Sequence, residues 1–351
     1  MTGIYETSMF QQTQVSLMQK AFLWKALRRD LMKTLATDKH TLLTERKGSK
    51  RFWRTMIQQR YLYMMSIPFV IWVIIFSYVP VWGWLMAFQK YKPGKSILDQ
   101  QWVGLDNFRE LFMDERFYNV LRNTLAMSIM GLIVSFTMPV IFAVLMNELR
   151  GPLFKRYIQT ISYLPHFVSW VVVASLVTKM LSIDGGAVNE LLLRLHLIDQ
   201  PVQFMAKGSW FWWIVTASDM WKETGWNSII FLAAMAGIDQ EQYEAATVDG
   251  AGRFRRIWHI TLPGIRTTFM VVFILSIGSL ISIGFEKQFQ LQNNLVTDYS
   301  EVLELYALNY GIKLGRFSFG TAVGIFSSVV SILLVLTANT IYKKVTKETI
   351  I

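Results

Sequence analysis

Cysteine is absent from this 351-residue chain. Its absence excludes a disulfide framework, a thiolate metal site and a thiol nucleophile. Charge is scarce as well: 17% of the residues are Asp, Glu, Lys or Arg, less than a soluble domain of this length carries. The four histidines, His40, His166, His196 and His259, are scattered with no metal-ligand spacing. No Ser/His/Asp set and no pair of carboxylates assembles from the sequence, so no catalytic or metal-ligating residue is assigned. A phosphate-cradling loop needs Gly-x-x-x-x-Gly-Lys-Ser/Thr. Gly94-Lys95-Ser96 ends like one, but the first glycine's place holds Gln89 and no apolar strand leads in. No apolar run of signal-peptide kind lies near the start.

What the chain has in quantity is apolar residues in long runs. Hydrophobic residues make up 53%, and the mean hydropathy is +0.34. The runs reach the roughly 20 residues needed to cross a bilayer. They predict an all-α, polytopic membrane bundle of six transmembrane helices, at about 61–88, 118–147, 157–181, 210–237, 266–286 and 318–342. The membrane domain is then 61–342, flanked by a basic extension over 1–60 and a short tail over 343–351. In the extension, Trp24, Leu27, Leu31 and Leu35 recur at helical spacing among Lys25, Arg28, Arg29 and Lys33. That reads as a basic amphipathic helix suited to an anionic inner leaflet; a plain solvated extension fits the same residues.

The net charge of +11 raises the question of nucleic acid, but its placement beside the spans argues against such a partner. The side bearing both termini carries 22 Lys/Arg, the opposite loops ten. The positive-inside rule therefore expects both termini in the cytoplasm, together with the loop at 239–264.

The fourth span is the least ordinary. It contains Asp219, Lys222 and Glu223, with Trp226 and Asn227 following. Each charge near a helix centre costs about 2.5–3.5 kcal/mol on insertion scales, so the stripe is expected to face the bundle or a wet cavity. Asp219 and Lys222 stand three apart on a helix and so can pair. Asp219, Lys222, Glu223, Trp226 and Asn227 are candidates for a substrate path; a buried network that fixes helix register fits the same spacing. Spans five and six carry small residues (Ser276, Gly278, Ser279, Ser282, Gly284; Gly320, Gly324, Ser328) that read as close helix packing. Beyond span five lie Glu286, Lys287, Gln288, Gln290, Gln292, Asn293 and Asn294, which read as a solvated loop rather than as sugar contacts.

Between spans four and five sits a polar, basic insert. Asp239 suits a helix N-cap, with Gln242 as its reciprocal partner. Glu244, Ala245 and Ala246 propagate that helix, and Gly250 and Gly252 suit a sharp turn. Phe254, Ile257 and Trp258 then recur at helical spacing up to Pro263.

Glu244, Ala245, Ala246, Asp249, Gly250, Ala251, Phe254, Ile257, Leu262 and Pro263 resemble the EAA loop of permease subunits in type I binding-protein-dependent ABC importers. The runs Trp221–Ala234 and Ser162–Trp170 resemble the carbohydrate branch, in the subgroup linked to oligosaccharides and polysaccharide fragments. The resemblance implies a multi-pass permease in a bacterial cytoplasmic membrane, moving a sugar by alternating access. It implies a second, related permease subunit, ATP-binding subunits below and an extracellular solute-binding protein above. ATP and Mg would belong to the ATPase partner, with no cofactor in this chain. Glu244, Ala245, Ala246, Asp249, Gly250 and Ala251 would form the contact to the ATPase. An ion-coupled secondary transporter using Asp219 and Glu223 is the alternative; its inverted repeats are not visible in the sequence.

Overall fold

The structure, a computed structural model, describes residue 55 and residues 58–346. The amphipathic helix expected around residues 24–35, and the last residues of the tail, lie outside the described residues. The chain falls into two units, one ending at Pro80 and the other beginning at Val81. The first carries α1 (Arg60–Val73), with Pro68 inside it, and a wide helical turn at Ile74–Tyr78. Every residue from 60 to 80 is exposed, and most are apolar, as lipid-facing surface must be. The helical stretch Arg60–Phe88 is long and apolar enough to cross a membrane.

The second unit pairs two short antiparallel strands, β1 (Gln89–Lys90) and β2 (Gln101–Trp102). Gly94 and Ser96 lie on the connection between them, where the Ser96 hydroxyl caps a single turn. Helix α2 (Asp106–Met113) leads into α3 (Glu115–Glu148), whose N-cap Asp114 accepts the Arg116 N–H at 2.9 Å. Then come α4 (Pro152–Tyr163), α5 (Trp170–Met180), α6 (Ala187–Arg194) and α7 (Gly208–Ala236). The helices that follow include α8 (Gln240–Val248), α9 (Arg253–Arg256), α10 (Arg266–Gly278), α11 (Phe285–Leu291) and α12 (Phe317–Thr346).

Two expected spans are not single helices. The third is bent by 100° between Pro152–Phe167 and Trp170–Met180. Pro165 removes a backbone donor, the chain tightens over Leu164–Phe167, and Val168 and Ser169 turn fully extended. The fifth ends at Gly278 rather than near 286, because Ser279, Ser282 and Gly284 are poor helix formers. Its opened backbone is satisfied from a neighbour: the Ser128 hydroxyl of α3 donates to the Leu280 carbonyl. Irregular backbone at membrane depth survives only where protein or a wet cavity satisfies it. Helix α7, at 29 residues, is about 43 Å long and could cross a bilayer. Its three charges keep it out of the strictly apolar class, to which Glu115–Glu148 and Phe317–Lys344 belong.

Helices α3 and α7 form the central pair, and α10 packs on α12. One core joins Leu111, Phe117, Val120, Tyr306, Phe319 and Val323. Another, of Ala143, Phe231, Met235, Ile238 and Ile265, seats the loop between α7 and α10. The segment after α11 is pinned to α3 by polar bonds. Arg116 Nε meets Glu301 Oε2 at 2.7 Å, Asn123 Nδ2 donates to Asp298 O at 2.8 Å, and Leu303 N donates to Thr124 Oγ1 at 3.0 Å. The buried Tyr306 hydroxyl donates to Asp114; burial first, then that carboxylate, raises the phenol above its ordinary value.

Candidate functional site

The loop between α7 and α10 is built as two short helices joined by one tight turn. Asp239 caps α8 by accepting the Glu241 N–H at 3.0 Å. Gly250 turns the chain with φ +75°, in the left-handed region that residues with a Cβ avoid, and the Ala251 N–H returns to the Ala246 carbonyl at 2.8 Å. Arg256 Nη1 donates to Thr247 Oγ1 at 3.1 Å, tying the outgoing helix to α8. At the base, Tyr243 and Thr261 share a hydroxyl–hydroxyl bond of 3.0 Å. Glu244, Ala245, Asp249 and Gly250 are exposed, and Ala246 and Ala251 are half-buried. Ala246, Asp249 and Ala251 line a hollow of 370 Å³ together with Arg255, Arg256 and His259. Val248 and Phe254 are each 88% exposed and Trp258 70%, an apolar rim on a polar loop. Apolar side chains grouped and exposed like this mark a surface suited to contact with a protein or the membrane.

The charges of α7 part company. Asp219 does not take the pairing with Lys222 that the spacing allows; its Oδ2 meets Lys287 Nζ of α11 at 3.1 Å. Lys222 is 5% exposed, pairs with Glu223 Oε1 at 3.2 Å and donates to the carbonyl of His166. Glu223 Oε2 meets His166 Nδ1 at 2.7 Å, and Trp226 stacks on the His166 ring at 4.4 Å with planes 1° apart. The carbonyl freed at the bend of the third span thus finds its donor on α7. Gly225 lets the two backbones meet: a Cβ there would run into the carbonyl of Ser162. Gly225→Ala is expected to cost about 1–3 kcal/mol by overpacking, read as a lower unfolding temperature of the solubilised chain.

Two of the cavities along α7 are lined by residues expected on a path. The first, of 180 Å³, is lined by Asp219, Thr216, Lys287, Gln288 and the hydroxyls of Ser128, Ser135, Ser276, Ser279 and Ser282. The second, of 470 Å³, is lined by Trp226, Asn227 and apolar side chains including Phe136 and Phe231. Ser135 and Ser276 line both, so the two are contiguous. Of the residues expected on a path, Asp219, Trp226 and Asn227 therefore meet the cavities. Lys222 and Glu223 line neither and instead hold the bend.

Sequence reasoning missed His166, Ser128 and the cavity role of Lys287. It also placed Gln288 in a solvated loop, whereas Gln288 is fully buried on α11. The amide-rich composition of 288–294 gave the misleading signal; the usable one was Leu291, three residues on from Gln288 and on the same buried helix face.

The family described as the binding-protein-dependent transport system inner membrane component matches residues 135–348. Protein LplB of Bacillus subtilis is 43% identical over 308 residues, 88% of this chain and 96% of that protein. The polygalacturonan/rhamnogalacturonan transport system permease protein YteP of the same organism is 41% identical, covering 88% of this chain and 95% of its own. Among solved structures, a bacterial ABC transporter involved in import of the acidic polysaccharide alginate aligns with TM-score 0.78 and 37% identity, over 85% of this chain and all of that one. The same kind of transporter in complex with an alginate pentasaccharide-bound periplasmic protein aligns with TM-score 0.79 and 36% identity, over 86% of this chain.

Proposed function

Since this chain belongs to the binding-protein-dependent transport system inner membrane components, we propose that its two contiguous cavities are the sugar path of an ABC importer and its projecting loop the contact to the ATPase. The chain is a membrane-embedded transport permease of the carbohydrate class, not an enzyme. An oligosaccharide cargo fits the relatives, whose names attach to polygalacturonan, rhamnogalacturonan and alginate.

The observation that carries the path reading is that the hydroxyl-lined and Trp226-lined spaces adjoin along α7 and share Ser135 and Ser276 as a common wall. Hydroxyls, an ion pair and a flat aromatic face are what a polyhydroxylated ring needs. The second space shares Phe231 with the core that seats the loop, so a push on the loop has a packed route to the path. Glu244, Ala245, Ala246, Asp249, Gly250 and Ala251 would dock against ATPase subunits, which supply ATP and Mg. Small side chains permit close approach, and Val248 and Phe254 offer apolar area. The Lys/Arg distribution supports placing both termini and this loop in the cytoplasm. A second permease, a related chain, would complete the pore, and an extracellular binding protein would deliver the sugar, as the periplasmic protein does in the aligned complex. Closure of the ATPase dimer would favour one of two states of the bundle through differential contact with the loop.

The ion-coupled alternative finds no support. Asp219 is engaged by Lys287, and Glu223 by Lys222 and His166. The test is purification from native membranes followed by sugar uptake in vesicles. We expect an ATPase, a second permease and a binding protein to co-purify, with uptake that needs ATP and survives an uncoupler. Recovery of the chain alone, with uptake abolished by the uncoupler while ATP persists, would overturn the reading.

A further inference from the structure

Gln288 is fully buried, lines the hydroxyl-rich cavity, and has no hydrogen-bond partner among the described residues at either Oε1 or Nε2. Buried polar groups are nearly always paired, and a primary amide offers two donors and an accepting carbonyl. The next residue back, Lys287, bridges to Asp219 of α7 at 3.1 Å on the same cavity wall. The segment that follows α11 carries two more sealed atoms without partners, Ser300 Oγ and Glu304 Oε2. The other oxygen of Glu304 accepts from Ser282, itself a cavity residue. Packing alone gives no reason for an amide here, since leucine fills a similar volume with no polar atom left bare.

We propose that Gln288 is a specificity-determining residue for the transported sugar: its amide takes adjacent ring hydroxyls when the Asp219–Lys287 pair parts. This rests on the reading of the cavity as the sugar path. The chemistry selects the cargo class. A cation satisfies only the amide carbonyl and an anion only the NH₂ group; two neighbouring hydroxyls satisfy both, one donating and one accepting. Thr216 and the serine hydroxyls extend the same donor–acceptor lining around the ring. The amide has no partner among the described residues, and a sugar seated in the cavity supplies one. Where that contact forms in one state of the bundle only, the sugar favours that state.

The test uses the complete transporter, purified with its second permease, ATPase subunits and binding protein, and rebuilt into lipid vesicles. The probe is a mixed hydrolysate of plant and algal polysaccharides, with imported sugars ranked by mass spectrometry. Uptake of no sugar by the wild type would overturn the path reading and this inference with it. With uptake established, Gln288→Leu is expected to slow import about tenfold at saturating binding protein, the loss of one or two hydrogen bonds to the cargo. Gln288→Asn, a shortened amide, is expected to reorder the ranking. Unchanged rate and ranking would overturn the role of Gln288 and leave the path intact. Where the leucine variant does not assemble, the ranking of the asparagine variant decides.

Discussion

Lys222→Met destabilises the chain by roughly 3–5 kcal/mol, the expected cost of removing one partner from a buried ion pair. Lys222 is 5% exposed and satisfies two groups at once, the Glu223 carboxylate and the carbonyl of His166. Its loss leaves a backbone acceptor at the bend of the third span without its donor. The measurement is thermal unfolding of the detergent-solubilised chain, where the variant should melt well below the wild type. Lys222→Arg should recover part of the loss. A cycle with Glu223→Gln separates the two contacts: if the pair dominates, the double variant is less harmed than the sum of the singles. A variant that melts like the wild type but fails to move sugar would instead return Lys222 to the path.

The second large effect is expected at Gly250. Its φ of +75° is tolerated by glycine, and less readily by asparagine, but not by a β-branched residue. No neighbouring atom would meet an added Cβ, so the effect of substitution is purely conformational. Gly250→Val is expected to swing α8 against the outgoing helix while the membrane core folds as before. If the loop transmits the ATPase stroke, uptake should fall about 5- to 150-fold, the usual span of a coupling free energy. Gly250→Asn should fall least. The decisive readout is co-purification: the valine variant should keep the second permease and lose the ATPase. Full ATPase recovery with normal uptake would remove the loop from the coupling route.

These two residues also mark what the sequence could and could not reveal. The turn at Gly250 was legible because its cause is local: a glycine between two helical stretches, with a capping Asp239 ahead. The spans were legible because lipid demands long apolar runs. The bend of the third span and the early end of the fifth were not, although Pro165 and the serines were in plain view. Such residues permit a break, and whether one occurs depends on donors supplied by other helices, here Lys222 and Ser128. The actual partner of Asp219 was out of reach for a similar reason. The rule for residues three apart on one helix favours Lys222, but tertiary packing brings Lys287 closer. Gln288 lay in a stretch whose composition reads as solvated, and its burial follows from the pinning of the later segment to α3 by Asn123, Thr124 and Arg116.

The charged middle of α7 bears on how the protein is made. Helices leave the translocation channel sideways, one after another, and this one is a poor candidate to partition into lipid by itself. Its most deeply buried cation has its acceptor on His166, 56 residues earlier, already synthesised when α7 emerges. Asp219 must wait for Lys287, which is translated later. The order of synthesis thus supplies a companion for the lysine first. Of the helices that α7 packs against in the folded protein, α3 and α4, the first arm of the third span, precede it in the chain.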